Sequence, residues 1–262
     1  MTRGTAKQLS TFLRATSEAP KSLLLLDYDG TLAGFRVDRF QARPWAGVTQ
    51  QLRKIQEQRR TKIVIITGRP PEEIPPMLEL DPAPEVWGLH GAKRLFPDGH
   101  SEMETQPPGV KQALQMLREL LKNNPIGGLF EDKPNAAVMH WRGHSPREAR
   151  EIAHRTRMLF EPLAKLEGLR LLKFESGLEL RAGRDKGGAV REIMREAGED
   201  VPAAYLGDDY TDEAAFEAVN EAKAPHLSVL VRRTKRETAA DVWIRPPQEL
   251  RNFLNRWIDA QR

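Results

Sequence analysis

Two short runs near the N-terminus constrain this chain most. Leu23-Leu-Leu-Leu26 and Lys62-Ile-Val-Ile-Ile66 are almost continuously apolar, and each ends abruptly in polar residues. A strand with one wet face alternates apolar and polar side chains, so unbroken runs of this length fit parallel strands covered by helices on both faces. Between them Val48, Leu52 and Ile55 recur at helical spacing, with Gln51, Arg53, Gln56 and Glu57 on other faces, within a helix expected over 46–58. Strand, helix, strand is a βαβ unit. A third strand is expected over 85–89, beyond a stretch punctuated by Pro70-Pro71, Pro75-Pro76, Pro82 and Pro84.

After about Phe96 the rhythm changes to helix, strand, strand, repeated. A helix is expected over 110–121, strands over 128–131 and 136–141, a second helix over 146–160, and strands over 169–174 and 177–181. Paired strands with helices between them read as a small α+β domain. From Lys186 the earlier rhythm resumes: a helix to Ala197, a strand over 203–206, a helix from Thr211, a strand over 227–231 and a last helix over 248–258. The expected fold class is α/β, with a Rossmann-like parallel-sheet core formed by residues 1–95 and 182–262 and an inserted α+β cap domain over 96–181. A length of 262 residues accommodates both, at roughly 100 to 200 residues per domain.

Composition removes several classes of function. Cysteine is absent, so any chemistry must come from carboxylates, amines, hydroxyls and imidazoles. Lys+Arg 41 against Asp+Glu 37 leaves an excess of four, and the two signs are interleaved, whereas a nucleic-acid binder clusters its basic residues. Arg232-Arg233-Thr234-Lys235-Arg236 is short, lacks interleaved aromatics and reads as a solvated loop. No apolar stretch approaches the ~20 residues that cross a bilayer. Within Met1 to Ala19 there is no apolar core of the kind an export signal needs. A cytoplasmic protein with neither nucleic-acid nor membrane partner is expected.

The chemistry gathers where strands run out. Asp27-Tyr28-Asp29-Gly30-Thr31 follows the first apolar run, at the sheet edge where open α/β folds bind ligands. Carboxylates there need compensation, which a divalent cation supplies directly, and Gly30 brings a backbone N–H close to an anion. Taken alone the segment is equally an Asp-rich turn. An EF-hand fails on register, since counting from Asp27 puts Leu32 where glycine belongs and Asp38 where glutamate belongs. Thr67-Gly68-Arg69 ends the second run, Lys186 opens a helix after Gly183-Arg184-Asp185, and Gly207-Asp208-Asp209-Tyr210-Thr211-Asp212 ends a later strand. A hydroxyl, an ammonium with helix-start amides and further carboxylates suit phosphoryl chemistry.

In this order and spacing the motifs resemble those of the haloacid dehalogenase-like phosphohydrolase superfamily. The resemblance implies that Asp27 is the nucleophile and Asp29 the general acid and base. It implies phosphate binding by Gly30, Thr67, Gly68 and Lys186. A Mg2+ ion would be held by Asp27, the backbone carbonyl of Asp29 and Asp208, with Asp209 and Asp212 in support. Elementary charge arithmetic agrees, because a carboxylate attacking a phosphate dianion requires nearby cations.

Four segments of the middle region, Gly88-Leu89-His90-Gly91-Ala92, Phe130-Glu131-Asp132-Lys133, Val138-Met139-His140-Trp141-Arg142 and Leu178-Glu179-Leu180-Arg181, are similar to those of trehalose-6-phosphate phosphatases. That resemblance implies a cap closing over the core, with Glu131, Lys133 and Glu179 hydrogen-bonding sugar hydroxyls and Arg69, His90, His140 and Arg142 also contacting substrate. One carboxylate can accept from two vicinal hydroxyls. The implied reaction is Mg2+-dependent hydrolysis of trehalose 6-phosphate through an aspartyl-phosphate. A trehalose-6-phosphate synthase partner follows from pathway logic but from no residue here. Lys93, Trp141 and Ala182 depart from the family's usual residues beside the sugar-contacting positions, which keeps open a phosphatase for glucosylglycerate or glucosylglycerol phosphate. A catalytically inactive regulatory domain of the same fold is the alternative from another class, and the clustered carboxylates count against it.

Overall fold

A computed structural model describes residues 3–36, 38–174 and 176–262. Its elements begin α1 (Arg3–Glu18), β1 (Ser22–Leu26), α2 (Val48–Glu57), β2 (Thr61–Ile66), α3 (Ile74–Leu78), β3 (Glu85–Gly88), β4 (Lys93–Leu95) and β5 (Ser101–Met103). They continue with α4 (Pro108–Lys122), β6 (Phe130–Lys133), β7 (Ala136–His140), α5 (Pro146–Leu163), β8 (Leu169–Phe174) and β9 (Gly177–Ala182). The chain closes with α6 (Lys186–Ala197), β10 (Ala203–Gly207), α7 (Glu213–Asn220), β11 (His226–Val231), β12 (Val242–Ile244) and α8 (Gln248–Ala260).

Every residue of β1 is buried, and its side chains divide between two faces as the pleat requires. Leu24 and Leu26 pack with Leu9 and Phe12 of α1, Leu52 and Ile55 of α2, and Leu254 and Trp257 of α8. Leu23 and Leu25 pack on the other side with Val190 and Ile193 of α6 and Phe216 and Val219 of α7. This two-sided burial is why the run reads as continuously apolar.

The eight-stranded sheet has the order β12-β11-β10-β1-β2-β3-β4-β5. From β12 to β3 all neighbours are parallel. Strand order reverses at β1, between β2 and β10, so the crevice beyond the carboxyl ends of these three strands is the topological switch point. Beyond β3 the sheet turns antiparallel through β4 and β5. The second sheet, β6-β7-β9-β8, is wholly antiparallel.

The chain divides into two units, residues 1–103 with 184–262, and residues 104–183. The division falls later than the 96 and 181 read from the sequence, because β5 pairs with β4 in the large sheet. Helices α1 and α3 and strands β4, β5 and β12 lie outside the sequence expectations. Helix α1 contributes Leu9, Phe12 and Leu13 to the core, β12 adds an edge to the sheet, and β4 with β5 forms a hairpin. The last two are three-residue strands, too short for periodicity to register. The strand expected over 128–131 is displaced, since 127–129 form a 3-10 turn before β6.

Candidate active site

Leu26 of β1 stands opposite Leu206 of β10 and Ile65 of β2. One level further along, Asp27 therefore emerges beside Gly207 and Ile66, with Asp208 and Thr67 just beyond. Parallel pairing brings together residues 40 and 181 positions apart from Asp27 without any contribution from the loops.

Lys186, the first residue of α6, places its ammonium 2.6 Å from Asp27 Oδ1 and 2.7 Å from Asp212 Oδ1. All three side chains are almost fully buried. Asp212 engages both oxygens: Oδ1 also accepts from the Tyr205 hydroxyl at 2.5 Å, and Oδ2 accepts the backbone N–H groups of Asp208 and Asp209, each at 2.9 Å. Its carboxylate thereby organises the loop after β10.

Asp27, Asp208 and Asp212 each present an oxygen within 4.8 Å of the others. Burial pushes Asp27 up to about 7, with Lys186 pulling against it and Asp212 and Asp29 adding to the rise. Asp208 is pushed up to about 9, by burial first and then by the charges of Asp27 and Asp212. Burial opposes charge on Lys186 as well, but the facing carboxylates outweigh it and hold the ammonium above its usual range. Burial and the Asp212 charge raise the Tyr205 phenol well above its ordinary value, so it acts as a donor. Three buried carboxylates facing one ammonium leave negative charge uncompensated, and an all-oxygen donor set of this kind fits a hard divalent cation. Gly30 is required here, because a Cβ would lie 2.0 Å from Asp208 Oδ2 and its φ is +84°.

Asp29 is held differently. Arg69 donates to both its oxygens, Nε to Oδ2 and Nη2 to Oδ1, each at 2.6 Å. The same guanidinium donates to the Arg39 carbonyl at 2.8 Å and stands 5.6 Å above the Tyr28 ring. Arg69, expected from the sequence to contact substrate, is buried and donates to Asp29. The Arg69 N–H donates to Thr67 Oγ1 at 3.2 Å, tightening the turn after β2. His90 also belongs to this first unit: its N–H donates to the Thr67 carbonyl at 2.9 Å, and its ring lies close over Gly68, where a Cβ would meet it at 2.8 Å. Its backbone is left-handed, at φ +58°.

The second unit assembles a different surface. Glu131, Val138 and Glu179 stand in one cross-strand row, Lys133, Ala136 and Arg181 in the next, and His140 beside Gly177 in a third. Residues opposite one another share a face, and so do residues two apart. Glu131, Lys133, His140, Glu179 and Arg181 therefore project from the same side of the sheet. The other side carries Ala137, Met139, Leu178 and Leu180, which pack with Val110, Leu114 and Leu117 of α4 and Ile152 and Phe160 of α5. On the polar side His140 Nε2 lies 2.8 Å from Glu131 Oε2, and its ring meets Phe174 edge-on at 5.5 Å. Glu179 and Arg181 are buried, with Oε2 and Nη1 4.0 Å apart. Arg142 is exposed in the turn after β7.

Residues 25–244 match the model of the trehalose-phosphatase family. The chain belongs to that family, whose members are phosphoric monoester hydrolases. It is similar to the trehalose-phosphate phosphatase of Mycobacterium marinum, with 30% identity over 254 residues, covering 90% of this chain and 61% of that protein. The chain thus spans about three fifths of that relative's length. Among solved structures, Aspergillus fumigatus trehalose-6-phosphate phosphatase superposes with a TM-score of 0.72 at 24% identity, covering 97% of each chain. The C-terminal domain of a Candida albicans trehalose synthase regulatory protein superposes with a TM-score of 0.74 at 16% identity, covering 94% of this chain and 97% of that one. At these identities the two structures speak to the fold alone.

Three residues at the trehalose-phosphatase site escaped the sequence reading. Tyr205 lies within an apolar strand, where its hydroxyl gave no sign of reaching Asp212. Arg232 and Arg236 belong to the run read as a solvated loop. Arg233, Thr234 and Lys235 are indeed exposed. Arg232 and Arg236 instead turn back, donating to the carbonyls of Asp208 and Asp209 at 3.2 and 2.8 Å.

Proposed function

We propose that this chain hydrolyses trehalose 6-phosphate to trehalose and inorganic phosphate. The observation that carries the reading is the buried Asp27 carboxylate between Lys186 and Asp208 at adjacent strand ends. A regulatory domain of this fold would have no use for such clustered charge, which is expensive to bury.

Asp27 attacks phosphorus and the bond from phosphorus to the sugar oxygen breaks, leaving an aspartyl-phosphate on Asp27. Asp29 donates its proton to the departing oxygen. Water then attacks the phosphoryl group while Asp29 takes its proton, so Asp27 is regenerated and phosphate leaves. Lys186 and the Thr67 hydroxyl hold the phosphoryl oxygens, and Gly68 allows close approach of backbone N–H groups, while Gly30, whose own N–H donates to the Ala33 carbonyl at 2.7 Å, shapes the turn beside them. For this chemistry Asp29 must come out of the Arg69 fork that engages both its oxygens. Mg2+ is the cofactor in this reading, held by Asp27, Asp208 and the Asp29 carbonyl; when bound, it supplies positive charge against the attacking carboxylate and the phosphate. Asp209 and Asp212 support that set.

Sugar recognition falls to Glu131, Lys133 and Glu179, with His140 and Arg142 nearby in sequence and His90 from the first unit. The alignment of Glu131, Lys133 and Glu179 on one sheet face supports this assignment. Phosphate release from trehalose 6-phosphate, glucose 6-phosphate, glucosylglycerate phosphate, glucosylglycerol phosphate and an aryl phosphate, with and without Mg2+, tests the proposal. Mg2+-dependent preference for trehalose 6-phosphate is expected. Preference for another sugar phosphate reassigns the substrate, and silence on all five rejects the enzyme.

A further inference from the structure

The peptide segment that carries Asp208 is pinned at all four of its polar backbone groups. The N–H groups of Asp208 and Asp209 donate to Asp212 Oδ2. Their carbonyls accept from Arg232 Nη1 and Arg236 Nη2. The loop supplying these guanidinium groups is itself anchored at both ends. At its start, the Arg232 N–H donates to the Ile244 carbonyl at 3.0 Å, and Trp243 Nε1 donates to the Arg232 carbonyl at 2.8 Å, both on β12. At its far end, Glu213 of α7 accepts from Arg236, from the Thr238 hydroxyl at 2.9 Å and from the Ala239 N–H at 2.7 Å. Asn220 Nδ2 donates to the Ala239 carbonyl at 2.8 Å. Arg236 also lies 4.4 Å over the Tyr210 ring, and its side chain is only 10% exposed.

We propose that Arg232 and Arg236 are positioning residues for the metal ligand Asp208, the loop after β11 acting as a clamp that holds the β10 to α7 turn in its cation-binding conformation. The inference rests on the reading of Asp208 as a metal ligand. A carboxylate contributes to cation affinity only when its backbone is prevented from relaxing away from its neighbours' charge, and Asp208 is crowded by Asp27 and Asp212. Two guanidinium groups fixed on adjacent carbonyls supply that restraint without offering an oxygen of their own.

Two physical effects then predict opposite signs. Removing a positive charge near a cation site tightens cation binding by simple electrostatics, whereas removing a positioning group loosens it. Mn2+ binding to the otherwise metal-free protein, followed by electron paramagnetic resonance of free Mn2+, separates them. Arg232→Gln and Arg236→Gln are each expected to weaken binding about 10-fold, with Arg236→Lys intermediate because it keeps charge and one donor. The exposed Arg233→Gln and Lys235→Gln, which remove the same charge, are expected to stay within about twofold of wild type. Unchanged or tighter binding in Arg232→Gln and Arg236→Gln overturns the proposal. Asp208→Asn distinguishes its foundation: loss of Mn2+ binding there with none in the arginine variants rejects the clamp alone, and full binding in Asp208→Asn rejects the metal-ligand reading and the clamp with it. Thermal melting confirms that each variant is folded, and if Arg236→Gln is not, Arg232→Gln and Arg236→Lys decide. In turnover, raised Mg2+ should restore kcat in the folded arginine variants while KM for the sugar phosphate stays put, a split that general loosening would not produce.

Discussion

The carboxylates of the large sheet and those of the four-stranded sheet are both presented by strands, yet their surroundings differ. Asp27, Lys186 and Asp212 are at most 3% exposed; Asp27 emerges at the end of a parallel strand, Lys186 opens α6 and Asp212 lies in the turn before α7. Glu131 and His140 have side chains 43% and 44% exposed, on the edge strand β6 and at the end of β7 in an antiparallel sheet. A charge buried at a strand end is costly and position-locked, which suits one unchanging reaction. Half-exposed charges such as Glu131 and His140 can be exchanged singly without disturbing the apolar side that holds the fold, whereas Glu179 and Arg181 on the same face are buried. Under the proposed function the contrast separates chemistry from recognition.

The most severe break is Asp27→Asn, which should lower turnover on every phosphomonoester by about four orders of magnitude. Because Asp27 shares a buried site with Asp208 and Asp212, the same variant should melt no lower than wild type without metal. Comparable loss of turnover and melting temperature together would mean that the cluster is structural.

A second test uses pH on the metal-free protein. Asp27 and Asp208 are raised from an ordinary 3.8 to about 7 and about 9. A folded state that holds protons the unfolded chain has released loses stability as pH rises, so their contributions should fall away through roughly pH 4 to 7 and pH 4 to 9. Denaturant melts across that range should show declining stability, and saturating Mg2+ should flatten the decline. No such slope would contradict the charge crowding at the strand ends.

On the recognition side, Glu131→Ala should lower kcat/KM for the disaccharide phosphate about 10- to 100-fold. Aryl phosphate hydrolysis should barely change, and equal loss on both would erase the division between the two regions. Smallest of all is His140→Gln, which leaves half-exposed Glu131 in place. It should change stability by less than about 1 kcal/mol, measured by chemical denaturation.

Much of the first region was legible because its signals are local. An apolar run announces a buried strand, and polar residues directly after it mark the strand's carboxyl end. The second region was legible in part: β8 begins and ends where expected, and β9 begins at the expected Gly177. What escaped depends on folding back. The Arg69 guanidinium closes on Asp29, 40 residues away, and Arg232 and Arg236, read as solvated, close on a turn more than 20 residues earlier.

The sequence by itself determined which strands are covered on both faces, where each one ends, and hence that Asp27, Thr67 and Asp208 share one sheet edge. Hydrophobic pattern and backbone period are written residue by residue, so they survive without coordinates. Only the tertiary structure decided that Asp212 organises its own loop, that β4 and β5 belong to the large sheet, and that two arginines of a basic run face inward. Side-chain hydrogen bonds between distant segments depend on where loops return, and no periodicity encodes that return.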